Sequence, residues 1–441
     1  MSAKQPRYTN KSAYSTLKYQ LNDYWSIQNL TSSNSTQRTP LNIYLNNDAD
    51  EQRNINRYQY FFKQRFETWT TAIDLVGEFN TGAIKHKVLF GGDYVYDQSR
   101  MGGFLQENIT STMNLYNPQY GLAELKSLPM VRAKLANYTT RAGIYVQNQL
   151  GFFQERLNLL IGARYNHYTS STAYNNASDE PADNAEVKAN PIVPRFGLVY
   201  KPKKFLSIYG SYAESYEING FDWIQVTKLI PPTKGKLAEV GVKGDFLKQK
   251  LGVTLAFFTI DKEDAYSWGY SDAPPAFDYI SWTEADGGYF TYLAPKHQSR
   301  GIELDVHGKI LTHLSINTSA SYIVAQVVED PGFKKGNWLP NQPRQMGNIW
   351  ANYKFGPFLK GFDLGYGIFY RGPFYAGIDN DLANKAKAQH TMDASVGFSH
   401  KNFRTQVNVT NFTNQINYLG SYGNWEPQWT RRAVLSVAYK F

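Results

Sequence analysis

Apolar and polar residues alternate with a period of two along much of this chain. In the closing segment, Leu435, Val437, Tyr439 and Phe441 interleave with Val434, Ser436, Ala438 and Lys440. A period of two puts the two sets on opposite faces of a β-strand. A sheet in water rarely leaves its last strand so apolar and so uncapped. A strand in a membrane barrel turns that face to lipid. The segment before it agrees. Phe403, Thr405, Val407 and Val409 face one way, and Arg404, Gln406, Asn408 and Thr410 face the other. A row of Arg, Gln, Asn and Thr has no place in an apolar core but suits a water-filled lumen.

The same reading predicts about sixteen strands of the ten-residue order that a tilted bilayer-spanning strand requires. Tyr14 to Leu30 reads as one strand and Tyr58 to Phe79 as one long strand. Tyr138 to Leu150 and Leu157 to Tyr168 form a hairpin. Hairpins follow about Lys201-Pro202-Lys203-Lys204, Leu247 to Lys250, Leu311 to His313, Gly356-Pro357 and His400 to Asn402. The connections alternate between short and long. Long ones fall at Thr31 to Asn56, Asp97 to Asn137, Thr169 to Asn190, Glu217 to Lys236, Glu263 to Gln298, Val328 to Arg344, Arg371 to Gln389 and Asn414 to Thr430. A soluble sandwich has no reason to alternate loop length, whereas an outer-membrane barrel keeps short turns inside and long loops outside. The predicted fold class is therefore all-β: one antiparallel transmembrane β-barrel over residues 1–441. An even strand number puts both ends of the chain on the short-turn side.

Composition supports this. No run of eighteen apolar residues exists, so no transmembrane helix is expected. Aromatics make up 15% of the 441 residues, with 33 Tyr, while mean hydropathy is −0.49. That combination fits a wall that is wet inside and ringed with interfacial aromatics. Cysteine is absent, which excludes disulfides and Cys-based metal sites. The net charge of +9 is spread over turns and polar faces rather than clustered, so no nucleic-acid partner is expected. Met1 to Arg7 has no apolar h-region, so an exported barrel would have to be a mature or truncated form.

Several strings together carry a family likeness. They include Phe79-Asn80-Thr81-Gly82-Ala83, Gly91-Gly92-Asp93-Tyr94, Asn114-Leu115-Tyr116-Asn117-Pro118 and Gly162-Ala163-Arg164-Tyr165. Pro194-Arg195-Phe196-Gly197, Ser211-Tyr212-Ala213-Glu214, Ser299-Arg300-Gly301-Ile302-Glu303 and Val409-Thr410-Asn411-Phe412 continue it. In this order and spacing the chain resembles the barrel of TonB-dependent siderophore receptors, especially the ferric-hydroxamate group. The resemblance implies a twenty-two-stranded barrel with a plug, of which this chain matches the last sixteen strands, without the plug, the TonB-contacting segment and about six strands. It also implies the outer membrane of a Gram-negative bacterium, a ferric siderophore as ligand, outer-membrane lipid as surroundings and the TonB complex as partner of the full-length receptor. Iron would arrive already chelated, so no cofactor and no protein ligand to metal are expected.

No catalytic constellation stands out among the seven His or the carboxylates, so an enzyme is not expected. Asp261, Glu263 and Asp264 crowd one strand end and read as a solvated loop base. The candidate ligand-binding residues are aromatic. Tyr44 and Phe104 fall, by local alignment of loops, near positions where hydroxamate receptors use aromatic contacts. Trp268, Tyr270, Trp338, Tyr375, Tyr422, Trp425 and Trp429 are candidates by their place on long connections. Flat rings with a polar edge can bury a bulky chelate without demanding one hydrogen-bond pattern. The competing assignment for each is a girdle residue at the headgroups. The alternative function is a passive sixteen-stranded channel.

Overall fold

The computed structural model describes every residue except 1–6, 40, 46–48, 62, 106–108, 120–129, 176–184, 218–229, 285–287 and 422–423. Its main feature is one nineteen-stranded sheet. Two of the nineteen, Ala185–Ala189 and Ser281–Thr283, are short additions along neighbouring strands. The remaining seventeen run in chain order as an antiparallel meander. They are β1 (Arg7–Gln20), β2 (Trp25–Thr39), β3 (Lys63–Thr81), β4 (Ile84–Leu105), β5 (Met130–Phe152) and β6 (Leu157–Asn175). Then come β7 (Ile192–Lys203), β8 (Leu206–Glu217), β9 (Thr233–Phe246), β10 (Leu251–Tyr270), β11 (Tyr289–Lys309) and β12 (Leu314–Glu329). Last are β13 (Gln345–Lys354), β14 (Phe362–Arg371), β15 (Gln389–His400), β16 (Phe403–Thr410) and β17 (Arg432–Tyr439).

The extra strand comes from Tyr14 to Leu30, which is not one strand but a hairpin. The Asn22 side-chain oxygen accepts from Tyr24 N at 2.9 Å and Trp25 N at 3.0 Å. This Asx turn reverses the chain between β1 and β2. Seventeen strands also correct the placement of the ends: β1 starts at the long-connection side and β17 ends at the short-turn side. Among the described pairings β1 pairs only with β2, and β17 only with β16. The sheet is thus wound but has two edges.

Many strands are longer than alternation suggested, mostly on the long-connection side. The segment Thr31 to Thr39 belongs to β2, Asp97 to Leu105 to β4, and Glu263 to Tyr270 to β10. β5 has 23 residues, against the roughly ten that cross a bilayer. Its surplus projects beyond the membrane. There both faces are wet, and only the ladder of backbone bonds keeps the strand extended. Residues Tyr58 to Phe79 likewise split. Asn54–Phe61 leaves the barrel for a small sheet with Leu41–Leu45 and Ile109–Asn114.

Register aligns the apolar residues into rows. Leu364 pairs with Val396, Val396 with Val407, and Val407 with Leu435. Val242 pairs with Leu255 and Leu255 with Leu304. Every one of these except Leu255 is among the exposed large hydrophobics, as lipid-facing side chains should be. Toward the long loops this outer face turns to ion pairs. Lys296 Nζ lies 2.8 Å from Asp261, and Lys236 Nζ 2.8 Å from Glu263. Lys234 lies 3.5 Å from Asp264. These carboxylates are paired with lysines across neighbouring strands and form no acid–base couple.

A small dry core sits at the long-connection ends of β10 and β11, covered by residues of the loops. Ala265, Phe290, Tyr292 and Ala294 are buried, with Phe277, Trp282 and Phe333 packed on them. At the opposite rim Gly308 has φ +139°, and a Cβ there would lie 2.0 Å from the Lys250 carbonyl oxygen. Only glycine fits so close a backbone approach in this conformation. Gly308→Ala is expected to cost about 2 kcal/mol or more of barrel stability. Urea unfolding in detergent checks it, and a midpoint unchanged from the parent would count against the strain.

Candidate ligand-binding rim

Three long connections that follow one another in sequence, 330–344, 372–388 and 411–431, are tied side by side. Asn380 joins the first two. Its Oδ1 accepts from Trp338 N at 2.6 Å, and its Nδ2 donates to Trp338 O at 2.9 Å. Asn341 joins all three. Its N donates to Tyr375 O at 2.8 Å, its Oδ1 accepts from Gly420 N at 2.7 Å, and its Nδ2 donates to Gly420 O. An asparagine amide both donates and accepts, so it can satisfy loop backbone as a strand neighbour would. Both residues sit at positive φ, 58° for Asn341 and 59° for Asn380. Asparagine tolerates that region.

This scaffold holds rings. Trp338 meets Tyr375 edge to face, with centroids 5.5 Å apart. Trp425 meets Phe374 at 5.9 Å and Tyr418 at 6.5 Å. Three of the rings carry a cation. The Arg344 guanidinium lies 4.2 Å from the Trp338 centroid, Lys385 Nζ 5.2 Å from Tyr375, and the Arg371 guanidinium 3.9 Å from Phe374. Arg371 also donates from Nη2 to Asn341 O at 2.8 Å. The ring quadrupole attracts such charges. Beside the rings opens a cleft of about 540 Å³ whose lining includes Lys385, Lys387, His390, Tyr418 and Trp425.

A second aromatic group stands farther round. Trp268 lies 5.8 Å from Tyr270 and 5.9 Å from Tyr289, and Tyr270 lies 5.5 Å from Tyr289. The loop core is next to it. There the Tyr292 hydroxyl donates to Asp330 Oδ1 at 2.8 Å, and His297 Nε2 lies 2.9 Å from Asp330 Oδ2. Burial pushes the Tyr292 hydroxyl above the ordinary tyrosine range, and the Asp330 carboxylate adds to that.

The lumen wall is polar and largely ion-paired. The Arg164 guanidinium grips Asp93 through two bonds of 2.5 and 2.8 Å, and Tyr145 OH donates to Asp74 at 2.5 Å. On the far side Arg404 Nη1 donates to Asp363 at 3.0 Å, Arg404 Nη2 to Gln406 at 2.8 Å, and Gln406 to Asn408 at 2.8 Å. Three of the four residues of the expected lumen row of the penultimate strand, Arg404, Gln406 and Asn408, are therefore one connected network.

The aromatic candidates thus divide. Trp338, Tyr375 and Trp425 come together on the three-loop scaffold. Trp268 and Tyr270 form their own group. Trp429 is 79% exposed and joins neither, with the Arg432 guanidinium 5.5 Å from its ring. Tyr44 lies in the small outer sheet opposite Tyr58, and Phe104 in β4 opposite Val131. Their side chains, and the whole of Tyr422, lie outside the described residues. Sequence reasoning passed over Arg344, Arg371, Lys385 and the two asparagines. The one signal was the Pro343-Arg344 pair, closing a long connection that holds Trp338.

A family model for the TonB dependent receptor-like β-barrel matches residues 2–412. The chain belongs to that family. Its members are receptors and transporters in the outer membrane of Gram-negative bacteria. This TonB-dependent barrel is similar to the metal-pseudopaline receptor of Pseudomonas aeruginosa, with 26% identity over 98% of this chain and 59% of the relative. It is similar to the ferrichrome outer membrane transporter/phage receptor of Escherichia coli K12, with 25% identity over 77% of this chain and 42% of the relative. The crystal structure of the siderophore receptor PiuA from Acinetobacter baumannii matches with a TM-score of 0.83 at 20% identity, over 99% of this chain and 65% of that one. That is a likeness of fold. The barrel thus spans less than two thirds of the length of these relatives.

Proposed function

We propose that this chain supplies the barrel wall and part of the outer rim of a receptor that takes up a metal chelate of the siderophore class. The chelate arrives with its metal bound, and release to the inside is coupled to TonB in the intact protein. The observation that carries the reading is the convergence of Trp338, Tyr375 and Trp425 on one braced rim. Family membership supports transport, and weighs with the two sheet edges against a passive sixteen-stranded channel. The resemblance of the loops favours a hydroxamate donor set. The names of the relatives span ferrichrome and pseudopaline.

Each of Trp338→Ala and Trp425→Ala is expected to weaken chelate binding by about 1 kcal/mol or more, since each ring loses a large buried face. Tryptophan-fluorescence titration of the intact receptor with a ferric trihydroxamate reads the affinity, and outer-membrane yield is followed in parallel. A girdle residue would lower yield and leave affinity alone. Unaltered affinity in both variants would remove the rim from the binding site.

A further inference from the structure

The braced rim concentrates positive charge that no described carboxylate pairs with. Arg344, Arg371, Lys385 and Lys387 all lie on or beside it, and among the described residues none makes an ion pair. Asp379, Asp381 and Glu426 share these loops, yet none is brought to ion-pairing distance of them. Arg164 and Arg404 in the lumen, and Lys236 and Lys296 on the outer face, each have a carboxylate. At the rim Arg344, Arg371 and Lys385 lie on rings instead, and the buried Nε of Arg344 has no hydrogen-bond partner.

A ring attracts a cation but does not use up its donors. A guanidinium stacked on Trp338 can still present N–H groups at its edge. A buried donor left without an acceptor is costly, so such groups are normally satisfied by something. The adjoining cleft of about 540 Å³ is lined by Lys385, Lys387 and His390, and no carboxylate is among its lining residues. A neutral chelate would be met well by rings and amides alone and would leave these charges unanswered.

We infer that the chelate recognised at this rim carries net negative charge, with carboxylate or other oxyanion groups at its periphery that the Arg344 and Lys385 side chains receive while Trp338 and Tyr375 cover its apolar body. This rests on the receptor reading and fixes the charge class of its ligand, whatever the donor set around the metal.

The test holds donor set constant and varies charge. Two ferric trihydroxamates of one framework, one neutral and one bearing pendant carboxylates, are titrated against the intact receptor in detergent, at low and at raised salt. The anionic complex is expected to bind at least about tenfold tighter, and that advantage is expected to shrink as salt screens it. Arg344→Gln and Lys385→Gln are each expected to erase most of the advantage, read as the ratio of the two affinities within each variant. The β-sheet circular dichroism of each variant serves as its folding control. Equal affinity for the two complexes in the parent, or an advantage that survives both substitutions, overturns the charge assignment and leaves the receptor reading standing. If neither complex binds up to millimolar concentration, the receptor reading fails, and the charge assignment with it.

Discussion

Val240→Arg is expected to lower the stability of the folded barrel by about 2–4 kcal/mol, while Ser211→Arg changes it by about 0.5 kcal/mol or less. The two positions are close in space and opposite in orientation. Val240 pairs with Gly210 and with Phe257, in an apolar row, and is 58% exposed. Ser211 pairs with Glu239, one residue earlier on the same strand. Alternation puts Val240 on the lipid side and Ser211 with Glu239 on the lumen side. Val240 also stands six residues from the end of β9, which ends at Phe246, and so near the middle of the apolar band. A guanidinium there has no water and no partner. At position 211 it meets water and a carboxylate across the strand pair. Urea unfolding in phospholipid vesicles gives both numbers. Similar costs at the two sites would mean that the faces are assigned the wrong way round.

That contrast also marks what could be read from the chain. Alternation is imposed by the bilayer, because one face must be apolar wherever lipid touches it. The lipid row of Leu435 and Val437, and the lumen row of Arg404, Gln406 and Asn408, were therefore legible in the residues alone. So was the rhythm of short and long connections. Beyond the membrane the constraint lapses. Residues Thr31 to Thr39 carry Ser, Thr, Asn and Gln on both faces, yet they extend β2 through pairing with β3. A polar strand held by backbone bonds is indistinguishable in sequence from a polar loop. The missed hairpin turned on one side chain: Asn22 has the chemistry of a turn, but it stood inside a stretch that otherwise alternated.

The rim was half legible for a related reason. Large aromatics on long connections are conspicuous, and three of the candidates do share a scaffold. What binds them into one place is the set of amide bonds from Asn341 and Asn380, which reach across 79 and 42 positions of chain, respectively. Nothing local announces such a partner. Positive charge at the rim was hidden for the same reason. Arg344, Arg371 and Lys385 are ordinary loop cations until the fold sets them on three neighbouring rings away from carboxylates.

Arg164→Ala is expected to destabilise the barrel by about 2 kcal/mol, and Asp93→Ala by a similar amount, while the double variant loses clearly less than the sum. The pair spans β4 and β6 across β5, so it ties three strands on the lumen wall. Arg164 reaches Asp93 with two donors and Asn166 with its Nε at 2.5 Å, and its guanidinium lies 5.3 Å from the Tyr145 ring centroid. Gly143 makes that reach possible, since a Cβ there would sit 2.2 Å from Arg164 Nη2. The side chains are 28% and 19% exposed, so lumen water discounts the pair below a fully buried one. The asymmetry remains: removing one partner leaves the other charge in a half-wet wall, and removing both leaves neither. Double-mutant unfolding in urea measures the difference, with a coupling of about 1 kcal/mol or more expected. Strict additivity would mean that water already satisfies each group, and that this wall is held by its backbone ladder rather than by its charges.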